Sequence, residues 1–248
     1  MTAPAAVAEP LVLRGAVFSL LARLLGPEPE VLADDREIEA LRVALDALGN
    51  REVLARFDVW RAAVPDPAAA RWSRLFEQGR VAPYEMSYLR PGLGGQTARI
   101  ADVSGFYCAF GFRVPQDRPD HFLAELEFAA YLAFGEARAR EEHDGAGAEV
   151  FADASCSFLG DHLGGWLDLL ADRADEHDPS GPYGPLVDAA ARFVAAEAAR
   201  RGVEPVRPER IDTPGPADFD DEDEIPSCAG CPAAPEASTP ALGTSPPL

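Results

Sequence analysis

Apolar residues in the first 200 positions recur every three or four residues, which is the spacing of one face of an α-helix. The first such face carries Leu13, Val17, Leu20 and Leu24 and ends at Gly26. Later faces with the same spacing carry, in chain order, Ile38, Leu41, Leu45 and Leu48; Val53, Phe57, Trp60 and Val64; Trp72, Leu75 and Phe76; and Leu159, Leu163, Trp166 and Leu170. The chain also contains 45 Ala but only four Ile and five Thr, and Ala favours helices whereas β-branched residues favour strands. The pattern predicts an all-α fold, a globular bundle of seven to nine helices.

Three long helices are predicted in the second half of this region. Their approximate bounds are 119–142, 147–172 and 185–201. Pro119 is suited to the first turn of one of them, and Gly202 is suited to end the last.

The composition changes after Gly202. The 46 residues that follow contain ten Pro, an acidic run from Asp218 to Glu224 and an end rich in Thr, Pro and Ser. Such a segment holds too few apolar residues to fill a core and is typical of disorder. We therefore predict a helical domain over residues 1–202 and a disordered acidic tail over residues 203–248.

The charge of the chain excludes several classes of protein. There are 22 basic and 42 acidic residues, the net charge is −20, and all basic residues are Arg because the chain has no Lys. The absence of Lys excludes a phosphate-binding loop of the GxxxxGK[ST] type and a Schiff-base lysine. The negative charge argues against nucleic acid as a partner, and it suits either a basic partner or a highly soluble surface.

Two features bear on location. The chain begins MTAPAAVAEP, which lacks the basic segment of a secretory signal. No apolar stretch approaches the roughly 20 residues that a membrane span needs. The sequence predicts a cytoplasmic protein without stable membrane insertion.

The four cysteines are too few and too unevenly spaced for a disulfide scaffold. Cys228 and Cys231 form a CxxC pair in the tail, and two thiolates supply only half of the ligands of a structural zinc site. Cys108 and Cys156 lie in apolar helical contexts and are not expected to complete such a site. A redox-sensing module that uses the CxxC pair remains one alternative function.

The densest polar cluster runs from Asp117 to His121 and is followed by Glu125. If Pro119 opens a helix there, Asp117 and Asp120 lie near the positive end of its dipole. Three interpretations are open: a capped helix start, a recognition site for a cation, and a metal or acid/base site. The last would make the protein a helical metal-dependent hydrolase or metal-binding protein that uses Asp120, His121 and Glu125.

Two further segments carry aromatic side chains. Residues 79–103 are rich in Gly and Pro and predict a long loop that carries Tyr84 and Tyr88. Long loops inside compact domains are often functional. The apolar segment 103–112 predicts a short buried helix. The loop aromatics either cover the core or line the rim of a groove.

Together, these three segments resemble the TorD/DmsD family of redox-enzyme maturation chaperones in their order and spacing. Segment 84–88 reads Tyr-Glu-Met-Ser-Tyr, similar to the family's Tyr-Glu-Ser-x-Tyr loop, with Met86 where Ser is usual. Segment 102–111 is similar to the family's Asp-x-x-Gly-Phe-Tyr-x-x-Phe-Gly motif. Segment 117–128 is similar to its Glu-x-Pro-Asp-His…Glu-Leu-Glu-Phe helix start, with Asp117 in place of Glu. The helical pattern extends the likeness over residues 10–200.

The resemblance implies an all-helical, non-catalytic chaperone without a cofactor or metal of its own. The partner it implies is the catalytic subunit of a molybdenum oxidoreductase. The chaperone would bind that subunit's N-terminal twin-arginine leader until the cofactor is inserted, and would so delay export. The residues implied to contact the leader are Tyr84, Glu85, Ser87, Tyr88, Asp102, Phe106, Tyr107, Asp117, Pro119, Asp120, His121 and Glu125. Family members occur as monomers and as dimers that exchange helices, and the sequence leaves both open.

Overall fold

The computed structural model of the protein describes residues 4–28, 34–63, 69–88, 95–114 and 118–207. Within these ranges the chain forms eight α-helices of at least 11 residues and one single helical turn, without a β-strand. In chain order they are α1 (Pro4–Leu24), α2 (Asp35–Ala47), α3 (Arg51–Ala63), the single turn α4 (Ala69–Trp72), α5 (Gly95–Ala109), α6 (Phe122–Glu141), α7 (Gly145–Asp161), α8 (Leu167–His177) and α9 (Tyr183–Arg201). A π-helical turn (Ser73–Glu77) continues α4, and 3₁₀ turns lie at Glu85–Ser87 and Leu163–Gly165. The prediction of an all-α bundle is confirmed.

The predicted apolar faces form the core. Helix α1 packs along α6, α6 packs on α7, and α9 packs on α8 and α3. Phe57, Trp60, Leu163 and Trp166, all from predicted faces, are almost completely buried. Val64 lies outside the described residues. Burial of these side chains supplies the main driving force for packing the bundle.

Two helix boundaries differ from the prediction. Helix α6 begins at Phe122 rather than at Pro119, because His121 is its N-cap. The predicted helix 147–172 is interrupted after Asp161 by the 3₁₀ turn Leu163–Gly165. A Cβ atom at Gly164 would clash with the carbonyl oxygen of Leu159, so the close approach of the backbone at this break requires glycine.

The predicted loop 79–103 is shorter than expected. Its last residues belong to α5, which begins at Gly95 and includes most of the segment predicted as a short helix at 103–112. Good helix formers follow Gly95, and their local preference outweighs the preceding glycines.

The end of the described chain lies against the body. Helix α9 stops at Gly202, whose φ of +71° favours glycine, as predicted. The amide of Val206 then donates to the carbonyl of Gly160 over 2.8 Å, and Arg207 forms an ion pair with Asp168 over 2.8 Å. Residues 208–248, with the acidic run and the CxxC pair, lie outside the described residues, so the disordered tail stays a prediction.

A membrane-spanning helix would have to be both long and apolar. Among the described residues, no helix meets both conditions.

Candidate functional site

The loop and the start of α6 pair side by side as an isolated antiparallel bridge. The amide of Glu85 donates to the carbonyl of Asp120 over 2.9 Å. The amide of Phe122 donates to the carbonyl of Pro83 over 3.0 Å. Two motifs that are more than 30 residues apart in sequence therefore form one structural unit.

Helix α5 brings the third motif to the same unit. The hydroxyl of Tyr107 donates to the carbonyl of Pro119 over 2.8 Å. Burial raises the pKa of Tyr107 well above its ordinary value, so the hydroxyl remains a donor. The half-buried ring of Phe106 lies edge-on to His162, with 5.5 Å between the centroids. All three motifs thus meet around the loop.

The carboxylate of Asp120 is fully buried and accepts hydrogen bonds from other groups of the same chain. Arg118 donates to it through two bonds, from Nε to Oδ1 over 3.0 Å and from Nη2 to Oδ2 over 2.8 Å. The amide of Met86 donates to Oδ2 over 3.3 Å. The guanidinium of Arg118 also lies over the ring of Tyr84, 4.4 Å from its centroid, in a cation–π contact. A partner can reach Asp120 only if Arg118 moves.

Glu85 is buried in the same way. Its Oε1 accepts from Arg99 Nη2 over 2.9 Å, and its Oε2 lies 3.1 Å from Nδ1 of the buried His162. On the other side of that ring, Nε2 lies 3.2 Å from Oδ2 of Asp102 but is not aligned for a hydrogen bond. The side chain of Asp102 is 57% exposed. A line of polar groups therefore runs from the surface at Asp102 to the buried Glu85.

Glu125 is the least well satisfied of the buried acids. Its Oε2 accepts from Trp166 Nε1 over 3.1 Å, whereas its Oε1 has no hydrogen-bond partner among the described residues. Burial raises the pKa of Glu125 well above its ordinary value, and the nearby charge of Glu85 adds to the effect. The group therefore favours the neutral form.

The remaining predicted side chains support this arrangement. Nδ1 of His121 accepts from the amide of Leu123 over 3.2 Å and caps α6. Tyr88 is buried, and its ring packs 5.4 Å from that of Trp166. The hydroxyl of the half-buried Ser87 has no hydrogen-bond partner among the described residues.

Eleven of the twelve residues implied by the resemblance are described, and the structure brings them together around the loop. Asp117 lies outside the described residues. Sequence reasoning missed Arg99, His162 and Trp166 as members of this site. Trp166 belongs to a predicted apolar face, and the available signal for His162 was a polar side chain within the span of that face, one turn before Trp166.

Asp120, His121 and Glu125 do not converge on a metal site. Each is engaged by a different group: Asp120 by Arg118, His121 by a backbone amide and Glu125 by Trp166. In the part of the chain that the structure describes, no three His, Cys, Asp or Glu side chains are arranged to hold a metal. The interpretation as a metal-dependent hydrolase is therefore unsupported.

We call Glu85, Asp102, Asp120, Glu125 and His162 the carboxylate cluster. It combines four carboxyl groups with aromatic surfaces and guanidinium partners. Carboxylates and aromatic faces are the groups that bind arginine side chains, so the chemistry of the cluster favours recognition of a cation.

The sequence matches one family over most of the helical region. A model of the family described as nitrate reductase delta subunit matches residues 34–172. This match covers 139 of the 248 residues, and it includes every residue of the carboxylate cluster.

Three proteins that the chain is similar to are named as chaperones. The selenate reductase assembly chaperone protein of Thauera selenatis is 33% identical over 150 residues, which are 49% of this chain and 76% of that protein. The chlorate reductase assembly chaperone protein of Ideonella dechloratans is 33% identical over 151 residues, again 49% and 76% of the two chains. The chaperone protein TorD of Vibrio cholerae serotype O1 is 29% identical over 177 residues, which are 66% of this chain and 71% of that protein.

Proposed function

We propose, from the premise that this chain belongs to the nitrate reductase delta subunit family, that it binds the N-terminal leader of the catalytic subunit of a molybdopterin oxidoreductase. The chain belongs to this family because the family model matches more than half of it. The named relatives are all described as chaperones, two of them as reductase assembly chaperones. The resemblance to the TorD/DmsD family and the prediction that the chain is not an enzyme are thereby confirmed.

The names of the relatives support the kind of client. Two of them are described as assembly chaperones of a selenate reductase and a chlorate reductase. By similarity, we propose that this chaperone holds an oxidoreductase subunit until its molybdenum cofactor is inserted, and that it delays export of that subunit. The proposal places the chaperone in the cytoplasm, as a monomer or a dimer.

The observation that carries the proposal is the convergence of three distant segments at one site. The loop is bonded to the start of α6, and Tyr107 of α5 is bonded to the same segment. A junction that is only structural does not need the unpaired polar atoms of Glu125 and Ser87. These features support a site that binds a cationic, partly apolar peptide.

The accessible part of the site suits such a peptide. Asp102 is exposed and can accept hydrogen bonds from an arginine of the leader. Phe106 is half-buried and offers aromatic surface to the apolar part that follows. The net charge of −20 would speed the encounter with a basic peptide.

The proposal is tested by titrating a twin-arginine leader peptide, and a copy with both arginines changed to Gln, against the full chain. We expect the arginine peptide to bind more tightly. Asp102→Asn removes the charge of the side chain but keeps its shape. In this variant the ratio of the two peptides' affinities should shrink by roughly tenfold, which corresponds to the loss of one charge-assisted hydrogen bond. Asp58→Asn, an exposed position on α3, is the matched control and should change nothing.

Equal binding of both peptides to the wild-type chain would contradict arginine recognition.

A second measurement addresses the client itself. The tagged chaperone should copurify with a molybdenum oxidoreductase subunit that retains its leader, and deletion of the leader should abolish the association. Copurification that is independent of the leader would contradict the proposed mode of binding.

A further inference from the structure

Two carboxylates of the cluster are covered by arginines of the chain itself. The side chains of Glu85 and Asp120 are 1% and 0% exposed. Their partners Arg99 and Arg118 are 29% and 19% exposed. In each pair the arginine is the half that faces solvent, so a ligand approaching from outside meets the arginine before the carboxylate.

The surroundings of Asp120 form a complete guanidinium site. Arg118 is held through a two-bond contact with both carboxylate oxygens, and its Cζ lies 4.4 Å from the centroid of the Tyr84 ring. Planar, bidentate binding on an aromatic face is specific to guanidinium, because an ammonium group has neither the fork nor the flat surface. The amide of Met86 keeps the carboxylate oriented.

A second, similar site lies next to it. Oε1 of Glu85 accepts both Nε and Nη2 of Arg99, over 3.3 and 2.9 Å. The backbone of Glu85 is bonded directly to that of Asp120. The two occupied sites are therefore neighbours on paired segments, which is the arrangement that two nearby arginines of one peptide require.

Exchange of one guanidinium group for another opens such a site at a lower free-energy cost than removal of the arginine alone. Removing an arginine alone leaves a buried carboxylate without a counter-charge, which is strongly unfavourable. Replacing it with another guanidinium preserves the charge balance, both hydrogen bonds and the aromatic contact. A cation without the planar fork restores the charge but not the geometry.

We infer that Asp120 with Tyr84, and Glu85 beside them, are two guanidinium receptors occupied by the chain's own Arg118 and Arg99, and that arginyl side chains of a partner enter by displacing them. The inference rests on the proposed function for the identity of the partner. Arg118 and Arg99 then act as internal competitors. They keep the buried carboxylates satisfied in the empty chaperone, and they lower its affinity for any segment that lacks arginine.

The receptor is tested first without a leader. In Arg118→Ala, N-acetyl-arginine amide should raise the thermal midpoint in a concentration-dependent way, whereas N-acetyl-lysine amide of equal charge should not. The wild-type chain should respond much less, because its receptor is occupied. Arg138→Ala is the matched control, since Arg138 forms an exposed pair with Glu142 on α6, and it should show no arginine-specific response.

If loss of Arg118 unfolds the variant, the comparison of the two derivatives is still decisive. The arginine derivative should then restore its helical circular dichroism, and the lysine derivative should not. Arg99→Ala, whose arginine is more exposed, provides a second receptor for the same comparison. If neither variant responds more to the arginine derivative than to the lysine derivative, the receptor assignment is wrong.

Competition is tested with the leader peptide. Arg118→Gln should bind the twin-arginine peptide roughly tenfold more tightly than the wild-type chain does, because the binding-competent state no longer requires displacement. Its affinity for the Gln-substituted peptide should not increase. Unchanged or weaker binding of the arginine peptide would refute exchange. A positive response to the arginine derivative without any binding of the leader would keep the receptor and reject the proposed function.

Discussion

The described residues include two groups of mostly buried carboxylates, and the hydrogen-bonding capacity of the two groups is satisfied to different degrees. Besides the carboxylate cluster, Glu136 and Glu197 lie between α1, α6 and α9 and are 3% and 4% exposed. Glu136 Oε1 accepts from Arg140 and its Oε2 from Arg201, both over 2.7 Å. We call Glu136 and Glu197 the arginine-saturated pair, because each of their four carboxylate oxygens accepts a hydrogen bond from a different arginine.

The bonds of Glu197 follow the same pattern. Its Oε1 accepts from Arg14 over 2.9 Å, and its Oε2 accepts from Arg200 over 2.9 Å. These contacts connect α1 to the end of α9. The arginine-saturated pair therefore joins helices that are far apart in sequence, and all four of its oxygens are hydrogen-bonded.

The carboxylate cluster lacks this saturation. Glu125 Oε1 and His162 Nε2, together with Oγ of the neighbouring Ser87, are buried without a hydrogen bond among the described residues, and outside the cluster the same holds for Trp60 Nε1. Buried polar atoms are nearly always paired in native proteins, and exceptions concentrate at functional sites. The comparison indicates that the arginine-saturated pair holds the bundle together, whereas the carboxylate cluster is arranged for a partner.

The largest effect is expected at the arginine-saturated pair. Glu136→Gln should destabilise the protein by about 3 kcal/mol at pH 7, because it leaves the guanidinium groups of Arg140 and Arg201 without their counter-charge. Urea unfolding measures this free energy. The exposed Glu142→Gln, which breaks the pair with Arg138, is the control and should cost less than about 1 kcal/mol.

The cost of Glu136→Gln should depend on pH. Burial alone would raise the pKa of Glu136, but hydrogen bonds from Arg201 and Arg140 outweigh burial and hold the pKa below its ordinary value of 4.5. A lowered pKa contributes stability that is present above the ordinary value and is lost as the pH falls through the folded value. The difference between the wild type and Glu136→Gln should therefore shrink below about pH 4.5. A cost that is constant down to pH 3 would contradict this assignment.

Glu125→Gln should have a smaller effect with the opposite pH dependence. The variant keeps the acceptor for Trp166 Nε1 and resembles the neutral acid, so we expect a change below about 1.5 kcal/mol at pH 5. Because the folded pKa of Glu125 is raised, its stabilising contribution is complete below the ordinary value of 4.5 and is lost as the pH rises toward the folded value.

Stability curves at several pH values test this prediction. As the pH rises from 5 to 8, Glu125→Gln should gain stability relative to the wild type. A difference between the two proteins that stays constant from pH 5 to pH 8 would show that the folded pKa of Glu125 is not raised. Glu142→Gln again serves as the exposed control.

The smallest effect concerns the segment that follows α9. Val203 and Pro205 approach Gly160 and Gly164, which flank His162 of the carboxylate cluster in the sequence. A chain that ends at Arg207 should unfold at the wild-type midpoint. A chain that ends at Gly202 loses the bond from Val206 to Gly160 and should lose about 1 kcal/mol. Identical unfolding of both truncations would show that this contact contributes nothing.

The two regions also differ in how far the sequence predicts them. The core faces were predictable because Leu41, Phe57 and Trp60 follow a local period that does not depend on the rest of the fold. The break at Gly164 was not, because its cause is the close approach of Leu159 and Pro205. Helix existence is thus a local property, whereas the position of this break depends on tertiary packing.

The candidate site was predicted as a set of residues but not as a network. Motif likeness selected Glu85 and Asp120, and the structure brings their backbones together. The pairing of Glu85 with Arg99 and His162 spans 14 and 77 positions, which no local pattern encodes. The burial of Asp120 was also unexpected, because an acid at a helix start is ordinarily exposed and interacts with the helix dipole.

Hydrogen exchange with and without the twin-arginine leader peptide compares the two regions most directly. If the carboxylate cluster binds the leader, amides of residues 84–88, 99–107, 118 and 120–125 should gain protection, and the Gln-substituted peptide should protect them less. Amides around Glu136 and Glu197 should be unaffected, because the arginine-saturated pair has no vacant hydrogen-bonding position for a ligand. Protection confined to α1 and α9, or equal protection by both peptides, would contradict the assignment of the carboxylate cluster as the leader-binding site.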